Sequence, residues 1–88
     1  MKIKEGFMLR DIAGVPTVVA TGQACETFQG IIKLNDTAKE VWLGIDAGLD
    51  EEQIVERLLE IYDVDRERAT ADTHALIAQM MSAGLIEP

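Results

Sequence analysis

Group-transfer chemistry needs a nucleophile beside a base, and this 88-residue chain offers one thiol and one imidazole, Cys25 and His74. They lie far apart, Cys25 in a stretch without periodicity and His74 in a helical one, so neither activates the other. The carboxylates Glu51, Glu52, Glu56 and Glu60 recur at helical spacing along one side of a segment, which is the pattern of a hydrated face rather than of a desolvated acid–base pair. A metal site would need converging Cys, His and carboxylate ligands, and no paired ligand motif surrounds either single residue. There is no glycine-rich phosphate loop. Ser82, the one serine, falls at the end of a helical segment, whereas a carrier protein needs a serine at a helix start for its prosthetic arm. Met80 and Met81 read as filler at the end of an apolar helix. The residues predict a protein that is not an enzyme and holds no cofactor or metal.

Composition narrows the partners. The net charge is −8 and the isoelectric point about 4.4. Residues 1–34 sum to +1 and residues 35–88 to −9, so the acidity belongs to the second half. A winged-helix DNA binder would need a basic recognition helix, but the third helical segment sets Arg66 and Arg68 against Asp65, Glu67 and Asp72. Nucleic acid is excluded on that ground. The acidity fits a solvated helical surface, with steering of a basic partner as the second reading. One cysteine permits no intramolecular disulfide, and the charged start of the chain does not resemble a signal peptide. No apolar run approaches the ~20 residues of a membrane span. The expectation is one small cytoplasmic domain covering residues 1–88, burying about 60–65% of its unfolded surface.

Residues 7–34 carry strand signals. Phe7–Ile12 and Val15–Ala20 are short apolar and β-branched runs around an Ala13-Gly14 turn, and a third strand spans Ile31 to Leu34. Pro16, lacking a donor, belongs at a strand start or on an edge. Alternation puts Ile32 and Leu34 on one face, expected to be core, and Ile31 and Lys33 on the other. Residues 21–29 read as an irregular loop, which could fold over the third strand. Periodicity then changes to helical spacing. Asn35 caps a first helix with Ala38, Val41, Trp42 and Ile45 inward, stopping near Gly48. Asp50 and Gln53 form a capping box for a second helix with Ile54, Val55, Leu58, Leu59 and Tyr62 inward. A third helix starts after Asp65 and runs to Gly84, whose left-handed conformation would turn Leu85 back onto its last turn. Trp42, Leu58, Leu76 and Leu34 are expected in one core.

The run from Phe28 to Ala38, together with Trp42, the Leu49-Asp50-Glu51-Glu52-Gln53-Ile54 start, Tyr62-Asp63-Val64-Asp65, Asp72 and the terminal Gly84-Leu85-Ile86, resembles the PqqD-like family. The match spans nearly the whole chain. It implies an α+β, winged-helix-like domain, a three-stranded antiparallel sheet followed by three helices. It further implies a precursor-peptide recognition element of pathways that make ribosomally synthesised, modified peptides. Such a domain is a non-catalytic peptide chaperone. It captures the leader of a precursor peptide by strand addition and presents the core peptide to a modifying enzyme, often a radical S-adenosylmethionine protein. The alternative is a PqqD-like interaction or regulatory module whose partner is no precursor. The resemblance places the peptide between the third strand and the third helix, at Ile31, Ile32 and Lys33 with Ala71, Asp72, Ala75 and Gln79. A free third-strand edge could also pair with a second copy, giving a homodimer.

Overall fold

The alternating run from Phe7 to Ala20 folds back on itself at Ala13-Gly14. Strands β2 (Phe7–Ile12) and β3 (Val15–Ala20) pair antiparallel with Ile12 opposite Val15, leaving a two-residue turn. Ala13 and Gly14 both have positive φ, 54° and 83°, the primed turn geometry that matches the right-handed twist of the strands. Asp11 Oδ1 accepts the Gly14 N–H at 2.8 Å and fixes the turn. The computed structural model describes residues 1–21 and 31–88; residues 22–30, which contain Cys25 and most of the expected 21–29 loop, lie outside the described residues. On its other side β3 pairs antiparallel with β4 (Ile31–Lys33), giving the sheet order β2-β3-β4.

Leu9, Val18 and Ile32 stand opposite one another across the three strands, and Val18 is fully buried. This face carries Ile32 and Leu34 against the core, as alternation predicts. Pro16 lies beside the start of the central strand. It is the second residue of β3, and it sits on the side facing β4, where its carbonyl accepts the Leu34 N–H at 2.8 Å. The donor it lacks would have served only the point where the chain leaves β4 for a helix, so the ladder loses one terminal bond.

Three capped helices follow. In α1 (Asp36–Asp46) the Asn35 side chain accepts the Ala38 N–H at 2.8 Å. In α2 (Glu51–Ile61) Asp50 and Gln53 make both bonds of a capping box. In α3 (Arg66–Ser82) Asp65 accepts the Arg68 N–H at 2.8 Å. α3 ends in a Schellman arrangement, with the Gly84 N–H donating to the Met81 carbonyl, the Leu85 N–H to the Met80 carbonyl, and Gly84 at φ 79°. Leu85 is thereby returned to the core.

That core joins Val18 of the sheet to Val41, Trp42 and Ile45 of α1, Ile54, Val55 and Leu58 of α2, and Ala69, Ile77 and Met80 of α3. Gly44 lets α1 and α2 close on each other, since a Cβ there would meet Ile54 Cγ1 at 2.7 Å. Trp42 and Leu58 are buried, while Leu34 and Leu76 are half-buried at its margin. Thr73 is fully buried with no hydrogen-bond partner for its hydroxyl.

A second pair of strands was not anticipated from the sequence. β1 (Lys2–Ile3) and β5 (Ile86–Glu87) run antiparallel, with Lys2 opposite Glu87 and Ile3 opposite the buried Ile86. The Lys4 N–H donates to the Leu85 carbonyl at 2.9 Å, and Lys2 Nζ lies 3.2 Å from Glu87 Oε1. Among the described residues no helix is long and apolar enough to cross a membrane.

Candidate functional site

β4 is short because it ends where Asn35 begins to cap α1, and its position at the end of the sheet leaves its outer edge without a strand among the described residues. Which of its backbone groups face outward follows from the register. The Leu34 N–H bonds the Pro16 carbonyl, and Lys33 stands opposite Thr17, which makes Thr17 and Lys33 a non-hydrogen-bonded pair and Val18 and Ile32 a hydrogen-bonded one. The N–H and C=O of Ile32 are therefore spent on β3. Those of Ile31 and Lys33 point away from the sheet, spaced two residues apart as an incoming strand would need.

Directly beside this edge lies a cleft of about 280 Å³ between β4 and the last two turns of α3. Ile32, Leu34 and Ala38 form one wall and Leu76, Met80 and Leu85 the other, with Gln79 and Ala83 at the helix side and Lys33 and Asn35 at the strand side. The half-burial of Leu34 and Leu76 now has a cause. They are core residues on one side and cleft walls on the other. Asn35 has its side-chain oxygen committed to the α1 cap, so Lys33 is the charged group among the described residues lining the cleft. An apolar trough with a row of backbone donors and acceptors along one rim can take an extended chain, the rim pairing its backbone and the trough holding alternate side chains.

Of the residues expected at the site, Ile32, Lys33 and Gln79 line this cleft, and Ile31 contributes an edge position of β4. Ala71 and Ala75 are exposed and lie outside its lining. Asp72 lines a separate cavity of about 180 Å³ with Thr37, Tyr62, Val64 and Arg68, and its carboxylate is 3.7 Å from Arg68 Nε. The helix side of the cleft is instead the row Leu76, Gln79, Met80 and Ala83. Sequence reasoning took Leu76 and Met80 as interior and overlooked Ala83; the signal was the three- and four-residue spacing from Leu76, which continues past Met80 to Ala83.

His74 is exposed on the far side of α3, where its Nδ1 lies 3.0 Å from Glu51 Oε1. Glu56 pairs with Arg66, and Glu60 lies at the exposed end of α2, so the carboxylates of α2 do not converge. Among the described residues no three His, Cys, Asp or Glu side chains gather as metal ligands.

The geometry can be set beside known proteins. The family model described as coenzyme PQQ synthesis protein D (PqqD) matches residues 8–86. Among solved structures, TbiB1 in complex with the TbiA(beta) leader peptide shares the fold at a TM-score of 0.81 with 20% identity, covering 99% of this chain and 95% of that one. A lasso peptide synthetase B1 complexed with the leader peptide does so at 0.81 with 18% identity, covering 99% and 96%. None of the curated proteins matches this chain.

Proposed function

The chain belongs to the PqqD family, and from that premise we propose that it is a non-catalytic peptide-binding protein that captures the leader of a precursor peptide along β4 and presents the rest to a modifying enzyme. The observation that carries this reading is that the edge of β4 at Ile31 and Lys33, which no strand covers among the described residues, runs beside the apolar cleft against α3. Two structures with the same fold are complexes with leader peptides, which supports the same use of the fold here. The modifying enzyme in this reading is of the radical S-adenosylmethionine type. The domain acts alone on the leader and needs no cofactor.

Backbone pairing tolerates many sequences, so selectivity comes from the cleft. Its volume of about 280 Å³ and its walls of Ile32, Leu34, Leu76 and Met80 suit one large aliphatic or aromatic leader side chain, and Lys33 suits an acidic neighbour. The test is amide chemical-shift mapping with the precursor encoded beside this gene. Shifts should concentrate on residues 31–35 and 76–83. Two variants separate the parts of the site. Gln79→Trp fills the cleft from an exposed position and should weaken binding at least tenfold. Lys33→Pro removes an outward N–H while sparing the bonds to β3, and should also weaken binding, by about tenfold for one lost bond plus the steric change. Shifts confined to β2 or α2, or unchanged affinity in both variants, would place the partner elsewhere and favour an interaction module with another ligand.

A further inference from the structure

The C-terminal half of α3 also lines a second cleft, away from β4, that is unlike the first in charge. It has a volume of about 470 Å³ and lies between α3 and the start of α2, with Met1, Ile77, Ala78 and Met81 as its apolar floor and Asp50, Glu51 and His74 at its rim. From Thr73 to Ile86 the chain has no Asp, Glu, Lys or Arg, so this flank of α3 is uncharged although 27% of all residues are charged. Met81 is 41% exposed, an unbranched side chain left in solvent beside Ala78. The acidic groups are set around that apolar floor rather than across it. The cleft beside β4 has the reverse arrangement, with Lys33 as its charge.

We propose that this second cleft is a docking site for a basic protein surface that inserts an apolar side chain between Ala78 and Met81 while its Lys or Arg groups face Asp50 and Glu51. The occupant is argued from charge complementarity. A segment as acidic as residues 35–88, at −9, attracts a basic partner and repels an acidic one, and at this cleft that acid is carried by Asp50, which also caps α2, and Glu51, which also lies 3.0 Å from His74 Nδ1. The apolar floor supplies the desolvated centre that such an interface needs. Met adapts its shape to the inserted group. The site rests on the reading given above in one respect, that the basic surface is that of the modifying enzyme. Because the second cleft lies away from β4, leader and enzyme bind at once, and α3 is the wall common to both.

The test uses the purified modifying enzyme encoded beside this gene, with affinity measured by calorimetry, and the leader peptide measured separately on the same proteins. Ala78→Arg places bulk and positive charge in the cleft from an exposed helix position, and Glu51→Lys reverses a rim charge without touching the floor. Both should weaken enzyme binding at least tenfold and leave leader affinity unchanged, while Gln79→Trp should do the opposite. Raising salt from about 50 to 500 mM should weaken enzyme binding of the wild type at least tenfold, because exposed charges are screened. Equal enzyme affinity in wild type and both variants, no enzyme binding by the wild type, or loss in Gln79→Trp alone overturns the proposal. A wild type that ignores the leader yet binds the enzyme in a way sensitive to Ala78→Arg and Glu51→Lys would overturn the leader reading and keep the docking site.

Discussion

At the scale of single residues, Thr73 has its place set against its chemistry. Thr73 is fully buried in α3 and its hydroxyl has no hydrogen-bond partner. A buried hydroxyl without a partner costs about 1–3 kcal/mol of desolvation. Thr73→Val keeps the branched shape and removes the hydroxyl, so the variant should be more stable by about 1 kcal/mol, read as a midpoint of thermal unfolding raised by roughly 4–8 °C. An unchanged or lowered midpoint would mean that the hydroxyl is satisfied in solution. Many individual residues were legible from type alone. Asn35 and Asp50 cap their helices and Gly84 takes the left-handed turn, as their types lead one to expect, and the structure adds Asp65 as the cap of α3. The helix side of the cleft was less legible. Ala71, Ala75 and Ala83 are equally small and all exposed, and only the position of Ala83 at the C-cap of α3, at the end of the helix that faces β4 across the cleft, makes it part of the lining.

At the scale of elements, the fold was read from the change of period after Asn35. Strand alternation before it and helical spacing after it give β2, β3, β4 and the three helices. The pair β1 and β5 escaped because two residues are too few to show a period, and because the partners Lys2 and Glu87 come from opposite ends of the chain. Distances between elements were equally out of reach. Gly44 reads in sequence as a weak point of a helix, whereas in the fold it is the place where α1 admits Ile54. Gly44→Ala would raise helix propensity by about 1 kcal/mol but force its Cβ onto a fully buried side chain, an overpacking that costs about 1–3 kcal/mol. We expect a net loss of about 1 kcal/mol in chemical denaturation, with the midpoint lowered and the slope unchanged. A gain in stability would show that Ile54 can move aside.

At the scale of the whole molecule, charge and shape divide the labour. The half that supplies β2, β3 and β4 is nearly neutral, and the half that supplies the helices is strongly acidic. The sequence shows this partition of charge plainly, but not that one helix would serve as the wall of both clefts. The β1–β5 pair has a consequence for how the chain may be cut and joined. Lys2 and Glu87 stand side by side, and the opposite end of the β2–β3 hairpin is an exposed two-residue turn at Ala13-Gly14. Chain order is then a free variable. A circular permutant that joins the old ends through a short Gly/Ser linker and opens new ones between Ala13 and Gly14 should keep the same amide spectrum outside the hairpin and bind the leader within about threefold of the parent. Collapse of its spectrum would mean that the turn, and not the strands on either side of it, sets the register on which β4 depends.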